Sequence, residues 1–325
     1  SDVFLTLART GEGISCFVVP GWLPDGSRNG VAIQRLKDKV GNRSNASSEV
    51  EFRGAIGHLI GEKGRGIRTG LSMNHNSRLD IAAASAGLMR MAVSLAAHHA
   101  QHRHAFQKAL IDQPIMQNVL ADIAIEAEAA AWLAFRLFAA LDRQDESASE
   151  RLLARVGAPI AKYWISRRAP AVVTEALECH GGNGFIEENP MARLYREVPL
   201  NAIWEGSGNV ICLDMLRSLT RDESAVDVLR AEQMAAAGAD RRYDAALKRL
   251  EGELPEMIRN EGQARRLTER LALVLQGSLL LRFAPPAVAD AFIATRLGEG
   301  WSGQFGDLPP AADAAALARR AVPAI

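Results

Sequence analysis

The spacing of apolar residues changes at Gly66, and that change decides most of what the chain can become. Beyond it Ile67, Leu71, Ile81, Leu88, Met89 and Val93 recur at helical intervals to His102, with alanines between them. Two patterns of similar length follow. Residues 115–141 have Pro114 placed for a helix start, and residues 148–179 contain Pro159 and Pro170 as expected kinks. A shorter one covers 207–219. Helices this long, joined by short connections, bury their apolar stripes most simply against one another, so the spacing predicts an antiparallel four-helix bundle. Met73, Met89, Met91, Met116, Trp132 and Trp164 are then expected in its interior.

Before Gly66 the chain is β-rich, with short strand-like runs at 4–9, 14–19, 31–36 and 50–53 split by Gly, Pro, Asn and Asp turns. So few strands, opening directly on an apolar one, predict part of a β-barrel or sandwich and a chain that is a piece of something larger. Cys16, Cys179 and Cys212 have no paired spacing, which points to a reducing compartment. The first residues lack a basic leader and a long apolar run, so a cytoplasmic protein without a membrane span is expected. With 38 basic and 38 acidic residues there is no global attraction to nucleic acid or anionic lipid.

Two stretches carry chemistry. After the third helical pattern come Gly181, Gly182, Asn183 and Gly184, which let backbone approach a ligand closely and tolerate left-handed turns. Glycines alone fit an ordinary helix end equally well. What adds to them is Glu205, beside the apolar bulk of Trp204 and just before the helix opened by Ser207 and Asn209. A carboxylate partly shielded from water at such a junction suits a general base, and a helix N-terminus suits an anion. The second stretch holds four of the seven histidines, at 98, 99, 102 and 104. His98 and His102 have the spacing of a metal pair, but no nearby acidic ligand or HExxH pattern completes a site, so no metal is expected. Arg103 and Phe106 set a cationic fork three residues before an aromatic face, a pairing suited to a pyrophosphate and a purine ring.

Gly181-Gly-Asn-Gly-Phe185, Arg193-Leu-Tyr-Arg196 and Trp204-Glu-Gly-Ser-Gly-Asn209, in that order, resemble the C-terminal half of the acyl-CoA dehydrogenase family of flavoproteins, especially its AidB-like, adaptive-response branch. The likeness covers residues 1–220; beyond it only a looser helical likeness to that branch's C-terminal extension remains. It implies three parts: residues 1–62 as the end of the family's middle β-domain, 63–221 as its helical bundle, and 222–325 as an additional helical domain. It also implies that an N-terminal helical domain and the first β-strands precede Ser1 in relatives. The implied cofactor is FAD and the implied substrate an acyl-CoA or similar thioester, in a homodimer or homotetramer. Glu205 would remove the α-proton while the β-hydrogen leaves as hydride to the flavin; the position where some members keep the base is Ser77 here. Arg78 would orient Glu205 from the pocket floor. Arg103 and Phe106 inherit contact with FAD held mainly by the neighbouring subunit, with Ala105 where the family often has a hydroxyl. Gly181, Gly182, Asn183 and Gly184 would approach its adenosine part, with Glu178 where glutamine is common. Ser207 and Asn209 would hydrogen-bond the flavin of their own subunit. The resemblance names neither acyl chain nor electron acceptor.

Past residue 221 helical patterns are expected at 222–237, 241–253, 254–281 and 286–297, then a Gly/Pro-rich tail over 298–310. The branch's link to DNA makes charge relevant there. From Asp222 onward 13 basic residues stand against 15 acidic ones, which argues against a broad DNA-binding face; local clusters remain at Arg241-Arg242, Arg265-Arg266 and Arg319-Arg320. An adaptive-response role associated with DNA, with little dehydrogenase activity, is the alternative to the enzyme.

Overall fold

Alternation in the first sixty residues does produce strands, but few of them pair. In the computed structural model, which describes residues 1–298 and 301–323, β1 (Val3–Thr10) and β2 (Gly13–Pro20) form an antiparallel hairpin in register from Val3 opposite Pro20 to Thr10 opposite Gly13. After β3 (Val31–Leu36) and β4 (Ser48–Phe52), which pair only with each other, β5 (His58–Ile60) joins the other side of β2. The expected partial barrel or sandwich is therefore a three-stranded sheet and a separate ribbon, with no closed barrel among the described residues. Three strands cannot curl far enough to meet. β2 buries Ser15, Cys16 and Val19, whereas Val3, Leu5 and Leu7 on β1 are about half exposed.

Contacts divide the chain into two units, Ser1–Ser77 and Arg78–Ile325. The join falls inside α1 (Gly66–His102), as long as its apolar period implied. By length and composition alone α1 qualifies to cross a membrane. Its Leu79, Ala82, Met89, Val93, Ala96 and Ala97, however, have no exposed surface. Met73 and Met91, expected inside, are substantially exposed, because both fall off that stripe.

After a small hairpin of β6 (His104–Ala105) and β7 (Lys108–Ala109) come α2 (Pro114–Asp142) and α3 (Ala148–Cys179). α3 runs through both Pro159 and Pro170 and is buried at every position from 156 to 166. A helix apolar on all sides must be surrounded. Its neighbours are α2, α4 (Pro190–Glu197), α5 (Gly208–Arg221), α6 (Glu223–Met234) and α8 (Ala264–Phe283). α7 (Arg241–Arg259) passes the break expected after Glu253 and continues through Pro255. It stops at Asn260, whose side-chain oxygen accepts from the Gly262 amide at 3.0 Å. α9 (Pro286–Phe292) leads into a wide turn, Ile293–Leu297, and α10 (Ala314–Ala321) packs on α2. Glu299 and Gly300 of the Gly/Pro-rich tail lie outside the described residues.

A buried ion cluster ties this C-terminal part to the central helices. Arg296 pairs with Asp122 and, at 2.9 Å, with Glu126, both on α2, while Arg168 on α3 meets Glu126 at 3.0 Å. Asp122 also accepts the Gly306 amide at 2.8 Å. Burial alone would raise the Glu126 carboxyl, but Arg168 and Arg296 outweigh it and hold it below the usual carboxylate range. Replacing Arg296 with Met leaves two buried carboxylates short of a partner and is expected to cost about 3–5 kcal/mol in urea unfolding. The folded value being the lower one, Glu126 stabilises the fold above its unfolded pKa of about 4.3. That contribution is lost as pH falls through the folded value, so wild-type stability should drop in acid more steeply than that of Glu126→Gln.

Candidate active site

Between the short turn Val198–Ala202 and α5 the chain bends at Glu205 and Gly206, both at positive φ, +54° and +107°. Glycine adopts this freely; for glutamate it costs about 1–2 kcal/mol, so surrounding contacts must hold it. Arg78 on α1 donates to Asp214 Oδ2 on α5 at 2.5 Å and places Nε 3.5 Å from the Glu205 backbone oxygen. Lys162 on α3 donates to the Gly206 backbone oxygen. The Trp204 indole donates to Asn201 Oδ1 at 3.1 Å, and Asn201 Nδ2 donates to Ser85 Oγ on α1 at 3.0 Å. The Glu205 side chain is half-buried and makes no hydrogen bond or ion pair among the described residues. A carboxylate held by its backbone yet free at its oxygens is available to take a proton.

Ser207 stands at the N-cap of α5 with an exposed hydroxyl that makes no capping bond. Asn209 Oδ1 accepts from Arg265 Nε on α8 at 2.8 Å. The structure thus gathers Glu205, Arg78, Ser207 and Asn209 around one bend. It adds Lys162 and Asp214, which the motifs did not single out, and Arg265, named above only as half of a basic pair.

The remaining expected residues gather at the other end of α1. The rings of His99 and His180 lie 4.7 Å apart and join the end of α1 to the end of α3. Burial first, then His180, Arg103 and His98, push the His99 imidazole below the usual histidine range. Gly181 closes α3 at φ +59°, and Gly181–Phe185 forms a tight turn. A Cβ on Gly181 or Gly182 would meet nothing within 4 Å, so this backbone is open to approach. At the tip of the β6–β7 hairpin Phe106 and Gln107 both have positive φ, +51° and +69°, without a glycine. That strain is of a kind found where a side chain must be presented. Phe106 is 89% exposed and Phe185 77%; the exposed Arg103 guanidinium has no ion-pair partner among the described residues. At about 1.5 Å per residue, the helix between Arg78 and His99 measures about 30 Å. A single dinucleotide does not span that distance.

Among the described residues no three metal-ligating side chains cluster, and His98 packs its ring 4.4 Å from His102. The basic pairs of the C-terminal part are largely engaged. Arg242 is held by Asp240 and Asp290, Arg319 by Asp112 and Arg320 by Glu128.

Residues 64–220 match the family model of the acyl-CoA dehydrogenase C-terminal domain. Over 297 residues the chain is 46% identical to the AidB protein of Escherichia coli (strain K12), covering 91% of this chain and 54% of that one. The chain thus carries an acyl-CoA dehydrogenase C-terminal domain over residues 64–220. Its fold is similar to that of Caenorhabditis elegans ACDH-11, a structure in complex with C11-CoA, at TM-score 0.82 and 26% identity over 94% of this chain and 59% of that one. It is also similar to butyryl-CoA dehydrogenase from Megasphaera elsdenii, at TM-score 0.60 and 27% identity over 68% and 57% of the two chains. The chain spans about half the length of the curated relatives it matches.

Two of the three glycines in the Gly181–Phe185 turn, Gly182 and Gly184, should behave differently. A Cβ at Gly184 would sit 2.4 Å from the Leu177 carbonyl oxygen, whereas one at Gly182 is unobstructed. Gly184→Ala is expected to cost about 1–3 kcal/mol in thermal unfolding, and Gly182→Ala to stay within about 0.5 kcal/mol of wild type.

Proposed function

We propose that this chain is the C-terminal portion of an FAD-dependent acyl-CoA dehydrogenase, with Glu205 as the base that removes the α-proton of an acyl thioester. The single observation that carries the reading is the Glu205 carboxylate, half-buried, free at both oxygens, and presented on a bend whose backbone is held from α1 and α3. Residues 1–62 then represent the end of the middle β-domain, 63–221 the antiparallel helical bundle, and 222–325 an added helical region.

The residues present fit the cofactor. At the far end of α1, the open glycine backbone, the unpaired Arg103 and the exposed Phe106 suit a pyrophosphate and a purine. Near Glu205, the free Ser207 hydroxyl and Asn209 at the start of α5 suit the polar edge of the flavin. FAD, when bound, supplies the acceptor for the β-hydrogen as hydride. Glu205 takes the α-proton, and Arg78, neutralised by Asp214, keeps the bend in place.

The separation of the two groups of residues supports a homo-oligomer, a dimer or tetramer in which one copy offers its glycine turn and Phe106 to the cofactor beside another copy's Glu205. Such an arrangement places isologous contacts around a twofold axis. Duplex DNA, the other partner that the sequence resemblance to the adaptive-response branch implies, calls for a continuous basic stripe. The engagement of Arg242, Arg319 and Arg320 by carboxylates, and of Arg265 by Asn209, argues against one.

Anaerobic mixing of the FAD-loaded protein with a panel of acyl-CoAs tests the reading. Wild type is expected to lose its flavin absorbance with at least one of them. Glu205→Gln should bind the same thioester yet reduce about 100-fold or more slowly; a wild type that no acyl-CoA bleaches contradicts the proposal.

A further inference from the structure

Lys162 lies in the part of α3 that is buried at every position, and only 1% of its surface is exposed. Nothing about packing requires a lysine there, since methionine has nearly the same reach without the cost of burying a charge. No carboxylate forms an ion pair with it among the described residues, so the ammonium is not the partner of a salt bridge. Its one hydrogen bond goes to the backbone oxygen of Gly206. The charged and titratable groups that face it are Arg78 from α1, Glu205 from the bend and Cys212 from α5, with Asp214 balancing Arg78.

Two consecutive carbonyls are thus each met by a cation: Glu205 by Arg78, at a long 3.5 Å, and Gly206 by Lys162. A peptide whose oxygen is fixed cannot rotate, and the peptide after Gly206 is the one that turns the chain from left-handed backbone into α5. A charge-assisted bond to a neutral acceptor, formed out of water, is stronger than an ordinary one.

We propose that Lys162 is the positioning residue for the base: it clamps the Glu205-Gly206 bend through the Gly206 carbonyl and sets a positive field at the Glu205 carboxylate. This rests on the reading of Glu205 as the base. Lys162 touches neither reacting atom. Removing it is therefore expected to slow proton abstraction while leaving thioester binding nearly intact, since small misplacements of a catalytic group are costly in rate.

The charge on the clamp is sensitive to pH. Burial first, then the positive charge of Arg78, bring the Lys162 ammonium down to about 8, with Glu205 and Cys212 opposing. It is charged at neutral pH and loses its proton as pH rises through that value. Burial pushes the Cys212 thiol up, so the thiol does not ionise in that interval. Flavin reduction by the wild type should accordingly decline on the alkaline side near that value.

The test compares wild type, Lys162→Met, which removes charge and donor, and Lys162→Gln, which keeps a donor without the charge. In FAD-loaded protein, Lys162→Met should lower the reduction rate about 10- to 100-fold at nearly constant thioester Kd and lose the alkaline decline. Lys162→Gln should recover part of the rate without recovering the decline. A Lys162→Met rate within about twofold of wild type, or a reduced rate that keeps the alkaline limb, overturns the inference. A second readout needs neither flavin nor turnover. In the cofactor-free chain, carbodiimide labelling of Glu205 followed by mass spectrometry should rise severalfold in Lys162→Gln, the variant chosen in case Lys162→Met does not fold. Unchanged labelling overturns the clamp even if no acyl-CoA reduces the wild type, an outcome that by itself sinks only the catalytic reading.

Discussion

Two cations reaching consecutive backbone carbonyls, Arg78 at Glu205 and Lys162 at Gly206, are the contacts on which the rest of this molecule turns. Each comes from a long helix, and each needs that helix to be fixed. α3 is fixed by burial on every side through its middle, which is also why its lysine is dry. α1 is fixed by its alanine-rich stripe and by Ser85, which receives a hydrogen bond from Asn201 just before the bend. The bend stores backbone strain at a residue with free carboxylate oxygens, a combination expected where function overrides local preference.

The C-terminal helices serve the same region at one remove. The cluster of Asp122, Glu126, Arg168 and Arg296 is too well buried to be solvated, so each charge depends on the others. Buried ion pairs of this kind often add little net stability, but they penalise any docking that separates them. Trp301 and Phe305 lie over the Arg168 guanidinium, at 5.2 and 4.8 Å, and shield it further. Correct docking of α8 in turn brings Arg265 to Asn209 at the first turn of α5.

Helices were the legible part of the chain, because long runs at a 3.6-residue period with Pro114 before one and Gly181 after another leave little choice. The glycine turn and the bend before α5 were legible as backbone features, since glycines after one helix and before the next are local signals. The first four strands were read in place, but β5, β6 and β7 were not, nor was the pairing, which depends on partners far along the chain. What could not be read were long-range contacts made by ordinary charged residues. Arg78 finds Asp214, and Arg296 finds Asp122 and Glu126, across most of the sequence. Lys162 does leave a trace in the sequence: a lysine within eleven residues, 156–166, that are otherwise free of charge. The break expected after Glu253 was misplaced, because helix packing carried α7 through Pro255 and four residues past it.

On the proposed reading the two ends of α1 serve two different molecules of the same cofactor, so that a complete site takes Glu205 from one copy and Arg103 with Phe106 from another. Subunit complementation tests it most directly. A chain carrying Glu205→Gln and one carrying both Arg103→Ala and Phe106→Ala would each be inactive alone. Unfolded together and reassembled at equal amounts, they should regain roughly a quarter of wild-type acyl-CoA-dependent flavin reduction, since half the dimers are mixed and each mixed dimer holds one intact site. Recovery no greater than the sum of the two separate variants would contradict the account.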